Sequence, residues 1–351
     1  MDGLPGRVQG LAFADPAAVG SWRSRWPVGA LPHLAQRLDA DSPANEFEAE
    51  VDVELLNIDA TSFRQLCAQE GGRPEGIALA IERIVGERGK MHNPVTGSGG
   101  VLLGRLAGVG SRRGGEASLG ERVVPLASLI ATPLRLESVG PVDPRSPQVP
   151  VRGRAVVTGR MSLAPVPDDL PLEAVLTAID VYPAASHTRA LAGPGEHVLV
   201  IGAGHGGLAA AVAAREAVGT EGRVTVVDRD PRALLSARAV DPLAVTVEAD
   251  ATDPTGVAER MGTAGSGPAH LTVSCTTVPG CEGTAILLTR DDGTVLFFST
   301  ATSFSAAALG ADALSARTRL VIPNGYTADR GGYLLDLLRR HPALLRAYST
   351  S

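Results

Sequence analysis

From residue 197 onward, short apolar runs recur with helix-like stretches between them. HVLVIGAG (197–204), RVTVVDRD (223–230), AVTVEADA (244–251), HLTVSCTT (270–277), GTVLFFST (293–300) and RLVIPNG (319–325) are dense in Val, Ile and Leu. Runs of this kind mark strands buried on both faces. The alanine-rich stretch HGGLAAAVAAREAVG (205–219) reads as a helix, and so do residues 231–240, 253–261, 279–290 and 303–315. Six such strands alternating with helices predict a doubly wound six-stranded parallel sheet of the α/β class. Polar residues gather at the strand C-termini: Asp228, Asp250, Cys275, Thr276, Ser299, Thr300 and Asn324. Such sheets bind ligands along that edge.

The first half has a different pattern. EFEAEVDVELLNID (46–59) alternates apolar and polar positions, as a half-buried antiparallel strand does. Residues 75–88 carry the spacing of an amphipathic helix, and 61–68 read as a helical turn. VLLGRLAGVG (101–110), GERVVPLASL (120–129) and RGRAVVTG (152–159) are strand-like and separated by Gly and Pro, and 139–150 reads as a surface loop. This predicts a partly open β domain without parallel repeats. PVPDDLP (165–171) interrupts the pattern before the helix LEAVLTAID. The chain therefore divides into a β-rich domain, 1–165, and a Rossmann-type domain, 166–351. A last helix, 328–349 with a kink near Pro342, ends the chain without a predicted return to the first domain.

Gly202, Gly204 and Gly207 form G-x-G-x-x-G directly after a strand and at a helix start. The first glycine allows the tight turn, the second lets backbone approach a pyrophosphate, and the third lets helix and strand pack closely. Asp228, 21 residues after Gly207, ends the next strand where a ribose-binding acid is expected. Its carboxylate favours NAD, while Arg229 and Arg232 beside it leave NADP open. His205 lies in the turn, either against the pyrophosphate or facing solvent. Asp250, Cys275, Thr276, Ser299 and Thr300 complete the candidate cofactor edge.

Composition narrows the function class. The 351 residues suffice for two cores, and a net charge of −6 argues against nucleic acid or an anionic membrane as partner. No apolar run approaches the roughly 18–20 residues of a membrane span, and MDGLPGRVQG lacks the start of a secretory signal. Cys67, Cys275 and Cys281 are too few and too scattered for a disulfide framework. A cytoplasmic enzyme is the expectation. No zinc site is expected, because Cys67 and His92 fall short of the ligand number zinc requires.

Residues 89–100, GKMHNPVTGSGG, contain Lys90, the only lysine in a chain with 31 arginines. Burial can turn a lysine into a neutral base, a state closed to arginine. His92, Asn93, Thr96 and Ser98 surround it in sequence.

GALPHLAQRLD (29–39), LLNIDATSFRQL (55–66), GKMHNPVTGSGGVLLG (89–104), LASLIATPLRL (126–136), VLVIGAGHGG (198–207), FFSTATSFSAAALGA (297–311) and IPNGY (322–326) together resemble the L-erythro-3,5-diaminohexanoate dehydrogenases of lysine degradation. The resemblance implies a zinc-free relative of the medium-chain dehydrogenases, with a GroES-like catalytic domain before the Rossmann domain. It implies oxidative deamination of the C3 amine with NAD(P)⁺, giving 5-amino-3-oxohexanoate and ammonia. It also implies a homodimer, formed by pairing the sixth strand across a two-fold axis. GAGHGG and IDVYPAASHTRAL (179–191) depart from the family pattern and leave another β-amino acid open.

For that chemistry Lys90 is the first candidate base or water activator, Asp59 the cation stabiliser and His92 the alternative base. Lys90 as a carboxylate ligand or loop anchor, and Asp59 as a helix cap, are the competing roles. Asn93, Thr96 and Ser98 are candidates for substrate contacts, Thr96 and Ser98 with the backbone of the glycine-rich turn. Arg64 is either a carboxylate ligand or a solvent-facing residue. A zinc-free ketone or enoyl reductase with the same two domains is the rival enzyme, and a non-catalytic nucleotide-binding regulator the rival outside enzymes.

Overall fold

The computed structural model describes residues 15–349 except 115–116, 300, 324–326, 328 and 330. Thr300 and Asn324 thus lie outside the described residues. The chain falls into two compact units, Met1–Asp168 and Asp169–Ser351.

The first unit contains strands β1 (Ser24–Trp26), β2 (Arg37–Leu38), β3 (Ala49–Asn57), β4 (Val101–Val109), β5 (Arg122–Pro125), β6 (Leu134–Val139), β7 (Gln148–Val157) and β8 (Leu163–Pro165). Its helices are α1 (Pro16–Val19), α2 (Ala60–Gln69) and α3 (Pro74–Arg88). Strands β3 to β8 form one antiparallel sheet in the order β6-β7-β3-β4-β5-β8. The stretch 139–150, expected to be loop throughout, contributes its last residues to β7, which pairs with both β3 and β6.

Strand β3 sets up the site. Ala49, Val51 and Val53 point into the core, as alternation requires. The register with β4 then shifts between Val53 and Leu55, a bulge that inserts one extra residue. The bulge reverses the alternation, so Leu56 and Ile58 become the buried positions. Asp59 is thereby released from the sheet to begin α2.

Near β3 lies a buried ion pair. Arg23 Nε and Nη2 bond Glu48 at 2.8 and 2.7 Å, and neither side chain is exposed to solvent. The other guanidinium hydrogens go to the carbonyls of Asp39, Ser42 and Pro43. All five donors are used, which is the condition under which burying an arginine is tolerable.

The second unit contains the six expected strands: β9 (His197–Ile201), β10 (Arg223–Asp228), β11 (Val245–Glu248), β12 (Ala269–Ser274), β13 (Thr289–Phe297) and β14 (Arg319–Val321). All pair in parallel, in the order β11-β10-β9-β12-β13-β14. The order reverses between β9 and β12, and a crevice opens at their C-terminal ends. Its helices are α4 (Leu172–Leu191), α5 (His205–Val218), α6 (Pro231–Val240), α7 (Pro254–Thr263), α8 (Glu282–Leu287), α9 (Phe304–Ala313), α10 (Gly332–Arg340) and α11 (Pro342–Tyr348).

Two expectations change here. The helix read at 279–290 covers only six residues, because β13 already starts at Thr289, with a register shift before Thr294. The single kinked helix read at the C-terminus is two helices meeting at His341, since Pro342 has no N–H to continue the first. Both pack within the second unit, against α4, α5 and α6. No helix among the described residues is long and apolar enough to cross a membrane.

Candidate active site

Where β3 ends, Asp59 caps α2. Its Oδ1 accepts from the backbone N–H groups of Thr61 (3.1 Å) and Ser62 (3.0 Å). Its other oxygen, Oδ2, is buried and has no hydrogen-bond partner. Such an atom costs free energy unless something comes to meet it.

The loop 89–100 lies against that first turn. Asn93 is fully buried; its Nδ2 donates to Gln65 Oε1 (2.8 Å) and to the Ser62 carbonyl (3.5 Å). Asn93 Oδ1 accepts from the N–H of Val95 (2.9 Å). The Thr96 and Ser62 hydroxyls share a hydrogen at 2.5 Å. A side chain at Gly100 would sit 2.1 Å from the Asn57 carbonyl and 2.7 Å from Asp59 N, so only glycine permits this approach. Asn93 and Thr96 therefore spend their polar atoms lacing the loop to α2. Ser98 is half-buried, and Arg64 lies on the exposed side of α2. Ser62, which sequence reasoning passed over, is the partner both lacing residues need. Its signal is its place among Ser62, Phe63 and Leu66 on the buried face of α2.

Lys90 has no solvent exposure. Its Nζ donates to the carbonyls of Ile130 (2.6 Å) and Pro32 (2.8 Å), with a longer contact to His33 O (3.5 Å). These are the bonds of a loop anchor: all three ammonium hydrogens point at main chain. Burial, aided by the charge of Arg88, pushes its pKa down to about 8. His92, two residues on, is half-buried, and its Nδ1 is buried without a partner. Burial first, then the charges of Lys90 and Arg88, hold the imidazole below its ordinary range and keep it neutral. Among the described residues only four buried side-chain polar atoms lack a partner, and Asp59 Oδ2 and His92 Nδ1 are two of them. The other two are the hydroxyls of Thr188 and Thr318; Asp59 and His92 stand on elements laced to each other.

The second unit offers a cofactor cleft. Gly202, Gly204, Asp228, Arg229, Asp250, Cys275, Thr276 and Cys281 are among the residues lining a cleft of about 220 Å³. A Cβ on Gly207 would lie 1.8 Å from the Gly202 carbonyl, while one on Gly204 would meet nothing within 4 Å. The turn is thus closed from below and open where a phosphate would rest, at the N-terminus of α5. Asp228 ties the turn to β10: Oδ2 accepts from Ala203 N (2.7 Å) and Oδ1 from Asp230 N (2.8 Å). Asp250 accepts from both the backbone and the hydroxyl of Thr252, which hold its carboxyl below the usual range. Burial raises the Cys275 thiol to about 12, so it is a neutral wall of the site. Ser299 is buried and its hydroxyl accepts from Ala301 N.

The His205 ring is half-buried. It packs on Tyr348 of α11 with ring centroids 5.0 Å apart. Among the described residues no three His, Cys, Asp or Glu side chains gather as metal ligands.

Residues 22–167 match the family described as the L-erythro-3,5-diaminohexanoate dehydrogenase N-terminal domain. L-erythro-3,5-diaminohexanoate dehydrogenase from Acetoanaerobium sticklandii is 36% identical over 327 residues, 91% of this chain and 94% of that one. The enzyme of the same name from Fusobacterium nucleatum is 35% identical over 335 residues, 94% of this chain and 97% of that one. The chain belongs to the L-erythro-3,5-diaminohexanoate dehydrogenase family. Its fold is shared with far more distant enzymes. A quinone oxidoreductase from Pseudomonas syringae pv. Tomato superposes with a TM-score of 0.53 at 16% identity, covering 89% of this chain and 88% of that one. An alcohol dehydrogenase from Thermus sp. ATN1 gives 0.52 at 18% identity, covering 89% and 91%. This member of the family therefore shares its fold with those two oxidoreductases.

Replacing Lys90 with Met tests the anchor. It leaves the carbonyls of Pro32 and Ile130 unpaired in a dry site, at a cost of about 2–3 kcal/mol. The expected result is a lower urea midpoint at unchanged m-value; a midpoint equal to wild type would show that the ammonium supports nothing.

Proposed function

We propose that the protein catalyses NAD⁺-dependent oxidative deamination of a β-amino acid, with L-erythro-3,5-diaminohexanoate the first substrate to test. The end-to-end match to two enzymes of that name carries the reading. The free carboxylate oxygen and neutral imidazole in the first unit support it chemically.

The substrate amine must be neutral before its carbon can lose hydride, because an ammonium withholds the electron pair that assists departure. The nicotinamide, when bound, supplies the hydride acceptor. His92, held neutral, takes the proton from the incoming ammonium. Asp59 Oδ2 receives the iminium that hydride loss creates, so a buried, unpartnered carboxylate gains a cation as the reaction proceeds. Water adds to the iminium carbon, His92 handles the proton, and the C–N bond breaks to leave ketone and ammonia. Lys90 acts through position, holding the His92 loop and helping keep its imidazole neutral. For the dinucleotide, Asp228 at the end of β10 supports NAD over NADP, since its carboxylate accepts from a 2′-hydroxyl and repels a 2′-phosphate.

The experiment is NADH formation at 340 nm with ammonia release from the diamino acid. Asp59→Asn keeps an N-cap of equal quality, so the fold should hold while kcat/KM falls about 100–1,000-fold. A loss under threefold would remove Asp59 from the chemistry.

A pH profile tests the base. The His92 pKa lies below the ordinary 6.5, so the imidazole is neutral at pH 7 and gains its proton only on the acid side. kcat/KM should fall as pH drops below 6.5, and His92→Gln should lower the plateau and abolish that limb. A limb that survives the substitution belongs to another group.

We also propose a homodimer. Among the described residues β14 is a three-residue edge strand with one side unpaired, and pairing it with a second copy would cover it. Light scattering at micromolar protein should return twice the chain mass of 36.0 kDa; a single chain mass would rule the dimer out.

A further inference from the structure

The C-terminal helix closes on the phosphate turn. Tyr348, the last residue of α11, is fully buried. Its hydroxyl donates to the main-chain carbonyl of His205 at 2.7 Å. His205 is the first residue of α5 and follows Gly204 directly. Its ring returns the contact: Nε2 lies 3.3 Å from the Ala347 carbonyl. A carbonyl only accepts, so Nε2 carries a hydrogen, as it does in the neutral Nε2–H tautomer. Burial, which lowers the His205 pKa, agrees with that state. The two rings pack at 55° to each other, at the tilted geometry aromatic pairs prefer. Helix and turn are thus joined by two hydrogen bonds running in opposite directions and by a ring contact.

Gly206, next in the turn, rests on the Phe298 ring, where a Cβ would come within 3.1 Å. Asp228 holds Ala203 from β10. Tyr348 holds His205, two residues further along. Between these two restraints lies Gly204, whose open side faces the cleft. Main-chain N–H groups bind a pyrophosphate well only when they are fixed in advance at the right positions.

We propose that α11 is part of the dinucleotide site, with Tyr348 as a positioning residue that clasps the phosphate turn through His205. The proposal rests on the dinucleotide reading of the second unit and is independent of the amine substrate.

The test is Tyr348→Phe, which keeps the ring contact and removes only the hydroxyl. NADH titration by fluorescence should show Kd raised about three- to tenfold, the range of one lost hydrogen bond. ADP-ribose, which carries the pyrophosphate, should weaken by the same factor in competition with NADH. Adenosine, which lacks it, should bind the variant and the wild type alike. A general loosening of the unit would weaken all three together, and that outcome overturns the proposal. So does an NADH Kd within twofold of wild type. Tyr348→Leu removes the ring as well and should lose at least as much affinity; should it fail to fold, the phenylalanine variant decides alone. Failure of the wild-type protein to bind NADH would sink the dinucleotide reading itself, a result distinct from either outcome for the Tyr348 variants.

Discussion

A buried ammonium must replace its lost water with carbonyl oxygens, and that requirement organises the first unit. Lys90 draws Pro32, His33 and Ile130 to one point, from segments far apart in sequence. The loop 89–100 is pinned at its start by that ion and along its length by Asn93 and Thr96 on α2. The charge also acts at a distance, as one of the groups that keep His92 neutral. The chain uses arginine everywhere else, and Arg23 shows why substitution at Lys90 is not free. Arg23 needs a carboxylate and three carbonyls to satisfy five donors spread over a plane. A compact ammonium with three donors fits where three carbonyls meet.

The second unit is governed by a similar constraint at its glycine turn. The third glycine touches the first so closely that no side chain fits, which sets the depth of the turn. The ends of the turn are then held by groups from elsewhere: the Asp228 carboxylate and the Tyr348 hydroxyl. A carboxylate that anchors backbone N–H groups still has lone pairs for a ribose, so Asp228 can shape the turn and read the sugar together.

The parallel sheet was legible in the sequence because each strand is buried on both faces and punctuated by turns. The glycine turn before α5 and the place of Asp228 at the end of β10 were legible because local spacing alone fixes them. The roles of Lys90 and His205 were not. Both depend on partners distant in sequence: carbonyls 40 and 58 positions from Lys90, and a helix 142 positions beyond His205. A carbonyl has no sequence signature, so a lysine that binds three of them looks the same as a lysine that does chemistry. The bulge in β3 was hidden for a related reason. EVDVELLNID keeps enough apolar residues to suit alternation in either phase, and only pairing with β4 decides where the phase changes.

In the proposed mechanism the structural role of Asp59 and its chemical one do not compete. A carboxylate has two oxygens, and capping α2 uses one of them. The cap fixes the side chain's direction by bonds to two rigid N–H groups, which orients the second oxygen at no further entropic cost. A free oxygen held in this way, buried and unmatched, is poorly suited to the resting protein and well suited to a cation that forms beside it. The same reasoning applies to His92, whose loop is fixed by Lys90 and Asn93 while its Nδ1 is left without a partner. In both cases the bonds that hold the group are separate from the atom that remains free.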